Sequence, residues 1–395
     1  MSEVQARQAG IATGITLLVP ITLSTMAIVL LAPILPMLLK QFSHVPYHDY
    51  LVPMVLTVPA LCVALLSPIA GLLGDRLGRR RLLIAALLIY AMVGVLPVFL
   101  TDLTAILISR IGVGITEAMI IVLTTTLIGD YYRGEARNRW LALQTATASL
   151  SALLFFNLGG WLGTFGWQAP FWVYSSALAM LGAVLLFTWE PEQLVETAAA
   201  ESSTPFPWKR MSGILAITIF ASVLFYTVQI HASVGLSVLG VTNPAEIGFL
   251  TSIASLGVPA GTLIYQKLFA IPVRRLLLAE FSILATGFVV MGFATTPTAF
   301  LIGCGINQIG AGLILPTLLV WAMNQLAFDV RGRGTGMWQG AFAFGQFLSP
   351  LAVTSIAGQT GTMLSAFAWL GYAAAGAAAI TLIRSARTPL PASAG

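Results

Sequence analysis

Charge is scarce in this sequence. Only 8% of its 395 residues are Asp, Glu, Lys or Arg, where a soluble chain carries about 25%, and that shortage excludes a water-soluble globule. Histidine is scarcer still: there are three, and His44 and His48 share one short polar segment. No intramembrane His–Asp cluster, Ser–His dyad or metal-spaced ligand set can be built from so few, which argues against an enzyme and calls for neither metal nor cofactor. The two cysteines, Cys62 and Cys304, each lie within an apolar run and read as small buried hydrophobes, not as a disulfide. Segments of alternating polarity are missing as well, which excludes a transmembrane β-barrel.

Apolar residues are what the chain has in quantity, at 58% with a mean hydropathy of +0.92. Its 20 prolines and 37 glycines are dispersed, as suits kinked and closely packed spanning helices. Twelve apolar runs, each about twenty residues or more, fall at 12–39, 50–73, 81–100, 103–129, 138–163, 168–188, 211–238, 246–268, 275–295, 298–323, 335–357 and 361–383. The expected fold is an all-α membrane protein, with twelve transmembrane helices in two pseudo-symmetric six-helix bundles. The bundles are residues 1–188 and 211–395, and the polar linker 189–210, "WEPEQLVETAAAESSTPFPWKR", joins them.

The basic residues set the orientation. Seventeen of nineteen fall on one side of these spans, with Lys40 on the other side and Arg110 alone inside the membrane. The positive-inside rule makes that side cytoplasmic and places both termini there, in the cell (inner) membrane. The isoelectric point near 9.4 therefore reflects topology. It is no nucleic-acid footprint, since there is no soluble face to cluster charge on.

The halves echo each other. "YYRGEARNRWLALQ" (131–144) follows the fourth run and "FDVRGRGTGMWQ" (328–339) the tenth; "GLLGDRLGRRRLLIA" (71–85) has a longer counterpart in 261–279. Repeated halves place a binding site between them near the midplane. In this setting Gly71, Asp75, Arg76, Gly78, Arg79 and Arg80 resemble the signature loop between helices 2 and 3 of the major facilitator superfamily. The resemblance covers nearly the whole chain and implies a secondary transporter working by alternating access, expected as a monomer in the bilayer. Asp75 stands where helix 2 leaves the membrane. A carboxylate there accepts charge-assisted hydrogen bonds from basic side chains or from a helix N-terminus across the half interface, a latch that holds the outward-open state. The small Gly71 and Gly74 let helices approach closely.

A second unusual stretch is "SRIGVGITEA" (109–118). Glu117 stands near the middle of the fourth run, where a charged side chain is expensive and marks an ion or substrate path. Glu280, about six residues into the ninth run, is near enough to the cytoplasmic face to snorkel or pair there. Arg110 and Glu117 are two helical turns apart on one face, with about 10 Å of rise between them, too far for a direct salt bridge. "RIGVGITEA" partly resembles the superfamily's helix 4 motif, with Val113 replacing its usual glutamine. Burial in an apolar wall favours a neutral carboxyl and a nearby arginine an ionised one, a competition suited to a proton carrier. Proton coupling is thus expected to run through Glu117 and Arg110, the alternatives being a structural ion pair or direct substrate binding.

The resemblance also implies that helices 7 and 10 line the cavity. That makes Tyr226, Gln229, Asn307 and Gln308 substrate-binding candidates, with Trp338 and Gln339 on helix 11; His231 and Gln346 are further candidates, and amides also serve as glue between helices. Such a cavity suits a small amphipathic organic molecule better than a polyol or a metal ion. Two marks of the superfamily's drug–proton antiporters are absent: helix 1 has no acid, and Phe155 and Phe156 stand where helix 5 would carry glycine–proline before Gly159–Gly160. A short stretch of helix 4 is similar to spinster-like lipid transporters. The expected function is proton-coupled efflux; proton-coupled uptake or facilitated uniport of an organic anion, and lysolipid transport, stay open.

Overall fold

The computed structural model describes residues 9–191, 206–327 and 330–387. A backbone in lipid must satisfy its N–H and C=O groups internally, so each apolar run closes as helix. Among the described residues twelve helices are long and apolar enough to cross a membrane. They are α1 (Ile11–Gln41), α2 (His48–Leu77), α3 (Arg79–Val98), α4 (Leu103–Tyr131), α5 (Gly134–Gly163), α6 (Ala169–Phe187), α7 (Trp208–Val238), α8 (Pro244–Leu268), α9 (Val273–Gly292), α10 (Pro297–Asn324), α11 (Arg333–Thr360) and α12 (Met363–Ile383). The ends match the apolar runs to within about four residues. Residues 192–205 of the expected linker, together with Arg7, lie outside the described residues, as do the side chains of Arg331, Arg384 and Arg387.

Local chemistry shapes several ends. Tight 3-10 turns at Val19–Ile21 and Ala32–Ile34 interrupt α1, where Pro20 and Pro33 remove backbone donors. Asp102 caps α4 by accepting from the Ala105 N–H at 2.8 Å, and Asn243 caps α8 through Ala245 at 2.9 Å. The expected loop between helices 2 and 3 is a correction. Helix α2 runs on through Asp75 and Arg76 to Leu77, and the connection is the single residue Gly78 at φ +94°, a backbone conformation that a Cβ would strain.

The core is two clusters. One runs from Leu17 to Val184, with Ile230 and Val234 of α7 added; the other runs from Phe206 to Ala378. Tyr226 on α7 packs against both.

The first six helices meet the last six most closely at the end opposite the arginine-rich α2–α3 turn. A Cβ on Gly160 of α5 would lie 2.4 Å from the Pro244 carbonyl oxygen and 3.0 Å from Gly248 Cα, both on α8. A Cβ on Gly248 would lie 2.3 Å from the Phe156 carbonyl oxygen. Only glycines permit backbones to touch this way. Beyond the contact the helices part: Pro244–Ser255 of α8 packs along α5, whereas Gly257–Leu268 packs along α10. Helices α2 and α11 pair from mid-depth, where Gly340 faces the Ala64 carbonyl, out to Thr354, whose hydroxyl donates to the Asp49 carbonyl at 3.1 Å.

Candidate transport site

Glu117 lies at the midpoint of α4 and is 5% exposed. Its Oε2 is buried and has no hydrogen-bond partner. The carboxyl is close enough to interact electrostatically with Arg110 on its own helix, and with Cys62 of α2, Tyr90 of α3, Tyr174 of α6 and Tyr226 of α7. Glu117 thus faces the seam between the two clusters.

Arg110 is built differently. It is 0% exposed; three helices of the first cluster bond its Nε and Nη2, while its Nη1 is buried with no partner. Nε donates to the Val55 carbonyl of α2 at 2.9 Å, and Nη2 donates to the Ala27 carbonyl of α1 at 3.2 Å and to the Tyr174 hydroxyl of α6 at 2.7 Å. The Tyr174 ring also lies 4.9 Å from the guanidinium carbon, within cation–π range. Among the described residues no ion pair joins Arg110 to Glu117. The arginine therefore ties helices together and leaves the carboxyl without a contacting counter-ion.

An aromatic wall stands across from Glu117. Trp338 of α11 stacks on Phe342 at 5.7 Å, and Tyr226 lies 5.4 Å from Phe342. Phe225 completes the group, 4.7 Å from Tyr226, and the buried Nε1 of Trp338 has no partner. Phe342 has no polar atom to single it out, so sequence reasoning passed over it.

The amide candidates divide. Gln339 is exposed, and Gln229 is 6% exposed. Asn307 and Gln308 are both 0% exposed, and a side chain lining an open cleft would show surface. Gln229 Nε2 donates to Gln308 Oε1 at 2.6 Å, Gln308 Nε2 to Asn307 Oδ1 at 3.3 Å, and Asn307 Nδ2 to the Leu284 carbonyl of α9 at 3.4 Å. Asn307 and Gln308 also pack against the positions of Gly287 on α9 and Gly257 on α8. Asn307 and Gln308, expected to face substrate, thus form with Gln229 a buried amide chain that joins α7, α10 and α9. His231 and Gln346 are buried at 1% and 7% exposure.

At the arginine-rich end, Arg79 donates from Nε and Nη2 to Asp75 Oδ1 at 3.1 and 2.7 Å, and its Nη1 bonds Asp130 of α4. One arginine thereby joins the ends of α2, α3 and α4, while Arg76 is exposed. A Cβ on Gly74 would meet Leu123 Cδ2 of α4 at 2.6 Å, the end of a side chain able to shift, and one on Gly71 would meet Val122 at an ordinary 3.8 Å. Glu190 was missed. Its carboxylate accepts from the Arg80 and Arg81 N–H groups at 3.1 Å each, capping α3 where the helix dipole favours negative charge. The acids just past the fourth and sixth runs were the available signals for Asp130 and Glu190. Glu280, expected to snorkel or pair near the cytoplasmic face, is 0% exposed and is bonded by Thr317 of α10.

Twelve spanning helices in two packed clusters, with a carboxyl at mid-depth on their seam, form a membrane transporter and not an enzyme. A family profile described as the Major Facilitator Superfamily matches residues 17–242, and the chain belongs to that superfamily. The tetracycline resistance protein, class C, of Escherichia coli is 25% identical over 379 residues, covering 90% of this chain and 92% of that one. A probable sugar efflux transporter of Pasteurella multocida (strain Pm70) is 25% identical over 302 residues, 74% of this chain and 73% of its own. The fold matches the crystal structure of a D-xylose–proton symporter with a TM-score of 0.79 at 14% identity, over 96% and 98% of the two chains. It also matches a bacterial homologue of the human lysosomal transporter Spinster, in an inward-facing conformation, with a TM-score of 0.73 at 15% identity over 94% and 95%.

Proposed function

We propose that this transporter exports a small amphipathic organic molecule across the inner membrane in exchange for protons, with Glu117 carrying the proton. The observation that carries this reading is the carboxyl itself: 5% exposed, with one oxygen unpartnered, while Arg110 is held by α1, α2 and α6. A carboxyl so placed gains and loses a proton according to which side hydrates it. Tyr226, Phe342 and Trp338 form the face that takes the apolar part of the substrate, with Gln229 beside them and Gln339 at the mouth. Relatives concerned with tetracycline resistance and sugar efflux support export.

The arginine-rich end is cytoplasmic in this reading, and with it both termini, so the structure is the inward-open form, sealed on the outside by Gly160 and Gly248. Residues 1–188 and 211–395 move as two bodies joined by 189–210, within a single chain acting as a monomer. Asp75 and Arg79, with Gly78 as their turn, close the cytoplasmic side when the protein opens outward.

The test uses proteoliposomes with an imposed pH gradient and tetracycline as the first probe, chosen from the relative of that name; a thermal-shift screen supplies other ligands, since binding to the folded state raises its melting point. Glu117→Gln keeps the volume of the protonated acid. Gradient-driven accumulation is expected to vanish while exchange without a gradient survives. Accumulation that still follows the gradient in Glu117→Gln would overturn the reading.

A further inference from the structure

Glu280 is used by nothing described so far. It lies seven residues into α9, which starts at Val273, and is 0% exposed. Thr317 Oγ1 of α10 is 2.5 Å from its Oε1, and the same hydroxyl is 3.0 Å from the Leu313 carbonyl oxygen. Oε2 is buried and has no hydrogen-bond partner. Among the described residues no ion pair includes Glu280.

Among the described residues no cation pairs with it, and Lys267 near the end of α8 is exposed. Helix α8 contributes Tyr265, close enough to interact electrostatically. Helix α10 contributes Thr317, and α12 meets α9 farther along, where Phe367, Ala368 and Gly371 pack at Phe288, Gly292 and Ala285–Val289. On α9 itself, Arg274 and Arg275 are exposed at the helix start.

A threonine hydroxyl has one proton, and Thr317 has two oxygens within reach. If it donates to Glu280, an ionised carboxylate is left buried with one hydrogen bond and no cation, which is costly. If Glu280 carries a proton, its O–H donates to Thr317 Oγ1 and Thr317 donates to the Leu313 carbonyl. Each proton then has an acceptor. Gain or loss of one proton reverses the hydrogen bond that joins α9 to α10.

We propose that Glu280 and Thr317 form a second proton-binding site, held between α9 and α10 in the second cluster and separate from Glu117. The site exchanges its proton from the arginine-rich end, which is the nearer end of α9. It stands whether or not Glu117 carries protons.

Infrared difference spectroscopy of the full-length protein in lipid, titrated with pH in sodium-free buffer, follows the carbonyl stretch of protonated carboxyls. The wild type is expected to show a titrating component that Glu280→Gln removes and Glu117→Gln retains. Thr317→Val keeps the acid and the local volume, so it should shift the frequency and midpoint of that component without abolishing it, and it carries the test if Glu280→Gln does not fold. Spectra of Glu280→Gln or Thr317→Val identical to wild type at every pH would overturn the proposal. So would a component that answers to added sodium and not to pH, which would make the three oxygens a cation site.

Discussion

Substituting Gly160 with alanine tests whether the glycine contact seals the far end. The new Cβ would start 2.4 Å from the Pro244 carbonyl oxygen, 3.0 Å from Gly248 Cα and 3.2 Å from Ala245 Cα. All three are backbone atoms, so no side chain can swing aside. Restoring a contact of about 3.5 Å requires α5 and α8 to separate there by about 1 Å. Overpacking of this kind costs about 1–3 kcal/mol, and it is felt only when the far end is closed. The helix-forming gain of alanine over glycine, about 1 kcal/mol, is present in both forms and cancels from their ratio. The population sealed at the far end should therefore fall about 5- to 150-fold relative to the form open there. Gly213→Ala is the control, because no atom lies within 4 Å of a Cβ at that position. Spin labels on cysteines replacing the exposed Phe165 and Glu246, with Cys62 and Cys304 replaced, report the gap between the ends of α5 and α8. A longer-distance component should grow in Gly160→Ala and stay at the wild-type level in Gly213→Ala. A folded Gly160→Ala protein with the wild-type distance distribution would refute the reasoning.

Two further outcomes follow from the site. Arg110→Ala strands the carbonyls of Ala27 and Val55 and the Tyr174 hydroxyl, at about 1–3 kcal/mol for each group left unpaired. A clear fall in melting temperature is expected at every pH, and Arg110→Lys should not restore it, because one ammonium cannot span three helices as the guanidinium fork does; a wild-type melting curve for Arg110→Ala would count against the tie. Asp75→Asn leaves Arg79 bound to Asp130 and weakens a pair whose acid is mostly exposed, so stability should change by less than about 1 kcal/mol. Transport should nonetheless slow if Asp75 closes the cytoplasmic side, and wild-type turnover in a liposome flux assay would remove Asp75 from that role.

The number, length and approximate ends of the helices were legible in the sequence. An apolar run in lipid has no alternative to helix, since nothing outside the chain can satisfy its backbone. Glu117 was legible for a related reason: an acid amid "GVGIT" and "AMIIVL" stands out when every neighbour is apolar.

Which way each side chain faces was not legible, and that decided most of the site. In water a polar stripe marks the outside of a helix, but lipid is as apolar as a protein core, so a spanning helix carries little record of its inner face. The sequence therefore does not show that Asn307 and Gln308 bond Gln229 and Leu284. Glu280 read as an acid inside the ninth run, able to snorkel or pair, and its partner Thr317 is 37 residues away. Arg110 read as sharing a face of α4 with Glu117, two turns away and too far for a direct salt bridge, and nothing in the sequence named the groups it bonds. Its actual partners, Ala27, Val55 and Tyr174, lie 83, 55 and 64 residues away in the chain. They meet only because α1, α2, α4 and α6 pack around one point, and that convergence leaves the carboxyl of Glu117 without a contacting counter-ion.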